Sequence, residues 1–289
     1  MKIFCKDKFE LRKYILEGID IYKLNYSHID DMSGLFSKIT FIPNIQKLDL
    51  SNVISTRDMF LGCHNFNQDI SNWNVSNIKH MSSMFEDCTL FNQDISKWDV
   101  SNVITMRNTF KNCTNFNQPL DTWNVSNVIT MDHLFYSCIN FNQPLYTWNV
   151  SNVVDMYSMF YNCTSYNHNL GSWNVSNVND MGSMFMYCNL KEHNLSSWNV
   201  QNIVNVDNIF YYCTNFNQNN LLWNLPKNIP LNTLFNEDDP TDIFLYIPPK
   251  NLLEILKKQN FIDSFLFNTL NQKSKIKLKK YILENILLK

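Results

Sequence analysis

Glycine is scarce, with five residues in a chain of 289, and neither GxGxxG nor a Walker-type GxxxxGK occurs in it. Cradles that wrap phosphates in backbone N–H groups need glycines clustered in a tight turn, so the common nucleotide-binding designs are excluded. Neither sign of charge is in excess: 24 Lys and Arg stand against 26 Asp and Glu, a formal net charge of −2. Counterion release on nucleic acid, or attraction to an anionic membrane, needs a surplus of cations, so no specific nucleic-acid binding is expected. No apolar run approaches the roughly 18 to 20 residues that span a bilayer. The opening residues, MKIFCKDKFELRKYILEG, are charged throughout and have no signal-peptide core, and Cys5 has no lipobox setting. These absences predict no transmembrane segment, signal peptide or lipid anchor, and an intracellular location, in the cytoplasm or, for a viral chain, the host's.

What the sequence does have is a repeat. All seven tryptophans, Trp73, Trp98, Trp123, Trp148, Trp173, Trp198 and Trp223, fall 25 residues apart, as do seven of the eight cysteines, from Cys63 to Cys213. A phenylalanine keeps the same step from Phe60 to Phe235. The unit can be written VxxMxxMFxxCxxFNQxLxxWNVSN. In one copy Val103, Met106, Phe110 and Cys113 step by three, four and three, which predicts one face of a short helix. In WNVSN, Trp123 and Val125 flank Asn124, the alternation of a half-buried strand. Between them FNQxL reads as a turn. No copy can bury Trp, Phe, Met and Cys against itself, whereas stacked copies can, with their strands forming a parallel sheet. The expected fold class is an α/β solenoid, a leucine-rich-repeat-like stack of short parallel strands and short helices with helical caps.

The run WNVSNVxxMxxMFxxCxxFNQxL resembles the BspA-like leucine-rich-repeat surface-protein family, also described as bacterial surface-protein repeats of unknown function, over roughly residues 20 to 235. A short charged helix such as KDKFELRKYILEG, then a strand and a degenerate copy with Met32, Leu35 and Phe36, is similar to the opening of such proteins. The resemblance implies the repeat fold and, functionally, adhesion or protein–protein interaction.

Most of the conspicuous residues read as structural. One thiol per unit without CxxC pairing fits a small buried side chain better than zinc or a disulfide; Cys5 lies outside the ladder and is the candidate reactive thiol. The tryptophans share parity with valine and read as core. Two asparagine columns, Asn67 to Asn167 and Asn77 to Asn202, are expected to bond backbone groups of neighbouring units. A third, Asn74, Asp99, Asn124, Asn149, Asn174, Asn199 and Asn224, reads as an outward polar strand face and a secondary candidate binding surface; Asn74, Asn124, Asn149 and Asn174 also sit in NVS sequons. His168 and His193 stand 25 apart, but two imidazoles make a weak metal site. No catalytic constellation recurs, so no enzyme activity, cofactor or metal is expected.

Variation between copies points elsewhere. The residue after the repeated Phe runs Leu61, Glu86, Lys111, Tyr136, Tyr161, Met186 and Tyr211, with Tyr187 and Tyr212 following and Tyr157 just before. This Tyr and Met stripe is the candidate surface for a protein partner. The expected domains are a helical and strand cap over 1–30, the solenoid over 31–235, and a helical cap or tail over 236–289. Residues 250–289 carry nine Lys against Glu254, Asp263 and Glu284, a charge that could also meet an acidic partner or membrane surface. The function expected is a non-enzymatic protein–protein interaction scaffold; the alternative is an adhesin-like or structural surface or virion protein.

Overall fold

The computed structural model describes residues 2–191 and 193–215, together with 223, 225, 226, 228, 229 and 231–234. The expected C-terminal unit over 236–289, Phe235 and Asn224 lie outside the described residues. Strand β1 (Ile3–Phe4) leads into helix α1 (Lys8–Leu16) and a 3-10 turn over Ile21–Lys23, and then strand β2 (Leu24–Asn25) pairs in parallel with β1. The helix begins where its capping chemistry says it should. Asp7 accepts the N–H groups of Phe9 and Glu10, both at 3.0 Å, while Glu10 reaches back to the Lys6 N–H at 2.6 Å. It ends at Gly18, left-handed at φ 79°, with the Gly18 and Ile19 amides bonded back to Ile15 and Tyr14 at 3.0 Å. Leu11 and Ile15 are buried against the first units. Phe9, on the same helix, points outward and is 70% exposed.

From Asp31 onward, successive units lie one on the next, joined by parallel bridges from Asp31–Ser55 through Ser55–His80, His80–Thr105 and Thr105–Thr130 to Asp180–Asn205, at a 25-residue step from Ser55 on. Two local expectations need correction. The stretch Val103 to Cys113 is a chain of tight turns and forms no helix. Its amides alternate in destination. Those of Met106, Asn108, Phe110 and Asn112 donate to Thr130, Asp132, Leu134 and Tyr136 of the next unit, whereas those of Thr109, Lys111 and Cys113 close local turns to Met106, Asn108 and Phe110. A helix would have spent every amide internally. Two left-handed residues per unit interrupt it, here Asn108 at φ 55° and Asn112 at φ 60°, residue types that tolerate this conformation. The i, i+3, i+4 spacing still buries Val103, Met106, Phe110 and Cys113.

The WNVSN segment likewise forms no strand, and the parallel bridges sit further along, at Thr105 and its equivalents. Trp123 and Val125 are buried and Asn124 exposed, as the alternation implies. Here side chains tie the units together. The indole of Trp123 donates to the carbonyl of Ile95 at 3.1 Å, and the other tryptophans do the same at 2.8–3.2 Å. Each ladder thiol also donates to the backbone of the preceding unit, as Cys113 does to the Phe85 carbonyl at 3.0 Å and Cys138 to Phe110 at 2.9 Å. The cysteine is thus a short donor as well as an apolar filler. Behind these struts the rings run in columns, with Phe85, Phe110 and Phe135 spaced 5.8 Å apart and Trp98 and Trp123 6.5 Å apart, within the range of favourable offset stacking.

The asparagine columns close the corners. Asn127 Nδ2 donates to the Ser101 carbonyl at 2.7 Å, with the same bond at Asn77, Asn102, Asn152, Asn177 and Asn202. In the return loop Asn92 Oδ1 accepts the Asn117 amide at 2.9 Å. Asn127→Ala is expected to cost about 1 kcal/mol, the net worth of one such bond, measurable by urea unfolding. No change in the midpoint would show that water replaces the bond without loss.

Candidate functional site

The residues proposed as a stripe after the repeated Phe come together on one surface. Their backbone lies in the turn stretch, whose outward positions alternate with the buried ones. Lys111 Nζ lies 5.9 Å from the Tyr136 ring centroid. Tyr136 stacks on Tyr161 at 4.3 Å with the rings 3° from parallel, and Tyr161 meets Tyr187 edge-on at 5.6 Å. Tyr187 stacks on Tyr212 at 5.2 Å, and Tyr211 lies 4.1 Å from Tyr212. Tyr157 joins through His133, whose ring is 5.2 Å from Tyr157 and 5.6 Å from Tyr136. Tyr157, Tyr187 and Tyr212 are exposed, while Tyr136, Tyr161, Met186 and Tyr211 are half-buried. Burial and the neighbouring Tyr136 hydroxyl hold the Tyr161 phenol above its usual range.

Two features of this surface were not read from the sequence. The first is the backbone at Tyr187 and Tyr212, left-handed at φ 65° and 53°. The same column holds Lys38, Gly62, Asp87, Asn112, Ser137 and Asn162, all left-handed as well. A run of Gly, Asp, Asn and Ser at 25-residue spacing was the available signal. The second is a carboxylate column beside the rings: Asp155 and Asp180 occupy bridged positions on successive units, and Asp132 lies close by. The Asp155 carboxyl is raised above the usual carboxylate range by partial burial, with Asp132 and Asp180 adding to it.

The outward asparagine row is not a strand face. Asn74, Asp99, Asn124, Asn149, Asn174 and Asn199 are exposed, but each turns its side-chain oxygen onto the amide two residues ahead, at 3.0–3.2 Å. These are local turns, in which each side-chain oxygen is used within the chain. Cys5 is not a reactive thiol either. It is fully buried, and burial followed by the Glu10 charge raises its pKa. The ladder thiols behave alike, with Cys188 pushed up to about 12 by burial. All eight cysteines are free.

His168 and His193 face different surroundings. His168 Nε2 lies 3.1 Å from the Asn142 carbonyl on the exposed side, while His193 is buried against Tyr166 at 5.8 Å and Phe185 at 5.7 Å. Burial, then the His168 charge, lowers the His193 pKa to about 4. Among the described residues no three His, Cys, Asp or Glu side chains group as a metal site, and no helix is long and apolar enough to cross a membrane.

A family profile described as a Mycoplasma protein of unknown function, DUF285, matches residues 5–110, 93–194 and 148–242 in three overlapping stretches. The chain belongs to this family. The DUF285 matches run through every bridged unit and the whole tyrosine surface. No curated protein and no solved structure matches the chain.

Proposed function

We propose that the chain is a non-enzymatic protein–protein interaction scaffold, its DUF285 units forming a leucine-rich-repeat-like solenoid of the BspA-like kind, with the tyrosine stripe from Tyr136 to Tyr212 as the binding face. Amide bonds from each unit to the next, repeated at 25-residue spacing, support the solenoid reading, since each unit then depends on its neighbours alone. Eight free cysteines fit a reducing compartment and favour an intracellular scaffold over an exported surface protein.

The observation that carries the binding face is the strain at Tyr187 and Tyr212. A left-handed backbone costs a bulky residue about 1–2 kcal/mol, and these two incur it on the surface. Their mutual stacking returns only about 0.5–1.5 kcal/mol. Asparagine, which fills the column at Asn112 and Asn162, would serve the fold better, so the rings answer to something outside it.

The double variant Tyr187→Asn/Tyr212→Asn is therefore expected to be at least as stable as the wild type in urea, yet to lose a protein recovered by the wild-type chain from extracts of its source cells. A destabilised variant that keeps the same partners would show that the rings only cover gaps between units.

A further inference from the structure

The tyrosine surface is also anionic, which bears on the chemistry of its partner. No Lys or Arg occurs between Lys111 and Lys191, while Asp121, Asp132, Asp155 and Asp180 all fall in that interval. Asp132 is engaged by Arg107 at 2.9 Å and by His133 at 3.3 Å. Asp155 and Asp180 lie outside the ion pairs among the described residues. Asp155 accepts the Tyr157 amide at 2.9 Å, and Asp180 accepts the Gly182 amide at 2.9 Å and the Asn205 side chain at 3.0 Å. Neither is paired with a cation among the described residues, although the Arg107 charge also acts on Asp155. Tyr157 links this column to the stripe, because its ring lies against Gly182, where a Cβ would come within 3.0 Å of it.

The chain itself shows how such a surface holds a cation. Lys111 Nζ sits 2.8 Å from Glu86 Oε1 and over the face of Tyr136. One and two units further the Lys111 position is taken by Tyr136 and Tyr161, so ring faces continue where the cation stops, and the carboxylates of that stretch, Asp155 and Asp180, stand in the bridged column.

We propose that this surface docks a cationic, Lys- or Arg-rich peptide segment of the protein partner, its charges lying over Tyr157, Tyr161 and Tyr187 and beside Asp155 and Asp180. The inference rests on the tyrosine stripe being the binding face. A single exposed cation–π or carboxylate contact is weak, so recognition requires several cations on one extended segment, matched to the unit spacing. An acidic segment would meet uncompensated carboxylates and be rejected.

Fluorescence anisotropy on the full chain, with a labelled peptide of six alternating Arg–Gly pairs as the probe, tests this. The expected result is saturable binding that falls at least about tenfold between roughly 50 and 300 mM salt. A similar loss is expected in Asp155→Asn/Asp180→Asn and in Tyr157→Ser. Asn already stands at this bridged position as Asn205, so the first variant keeps the fold. Asp121→Asn, away from the stripe, should bind as the wild type does, and the matching Glu–Gly peptide should not bind. Absence of saturable binding, or equal binding by wild type and the Asp155→Asn/Asp180→Asn variant, overturns the proposal. If that happens while Tyr187→Asn/Tyr212→Asn still loses its cellular partner, the tyrosine face stands and only the cationic partner falls.

Discussion

Trp123→Ala is expected to lower the free energy of unfolding by about 3–5 kcal/mol, the cost of emptying a buried aromatic site. Trp123 is 3% exposed, with Trp98 at 6.5 Å and Phe110 at 6.1 Å. It also does something no aliphatic residue could: its indole N–H gives the buried carbonyl of Ile95 in the preceding unit a second donor beside the Trp98 amide. Trp123→Phe separates the two contributions. It keeps much of the apolar volume but removes one of two donors to that carbonyl, which still accepts the Trp98 amide at 3.1 Å, at a cost of about 0.5–1.5 kcal/mol. Tyr161→Ser, which removes a half-exposed ring stacked on Tyr136, should cost only about 1 kcal/mol. Urea unfolding followed by circular dichroism gives all three values. Equal losses for Trp123→Ala and Tyr161→Ser would mean that the inner and outer faces are assigned the wrong way round.

Acid should weaken the fold through His193. Its folded pKa of about 4 lies below the 6.5 of a free imidazole, so between these values the unfolded chain binds a proton that the folded chain refuses. Stability therefore rises with pH in this window. The contribution is complete above about pH 6.5, is lost progressively toward pH 4, and levels off below it, a change of about 3 kcal/mol at 1.36 kcal/mol per unit. His193→Gln, which cannot take up a proton, should remove this part of the acid sensitivity. The measurement is the difference in unfolding free energy between wild type and variant at several pH values. Parallel profiles would show that His193 takes up its proton as readily in the fold as out of it.

The burial pattern was legible from residue spacing because burial depends only on which way side chains point. Met106, Phe110 and Cys113 step as on a helix and are buried, although the backbone under them is a series of turns. The sequence held the contrary signal at Asn108 and Asn112, two turn-forming residues four apart, recurring as Ser83 with Asp87 and as Ser158 with Asn162. Apolar period alone does not distinguish a series of turns from one continuous helix. The tyrosines were visible as departures from the repeat. That Tyr187 and Tyr212 occupy a left-handed column, and that His133 bridges Tyr136 to Tyr157, depends on backbone conformation and ring placement across units.

The repeat length and the inward residues follow from the sequence alone, because period and polarity are properties of the chain's order. The partners of the buried donors were decided only by stacking. A tryptophan or cysteine states that it will be buried, but which carbonyl it meets, Ile95 for Trp123 and Phe85 for Cys113, depends on how one unit lies on another. The candidate surface is assembled the same way: rings and carboxylates 25 residues apart in sequence become neighbours only when the units are laid side by side.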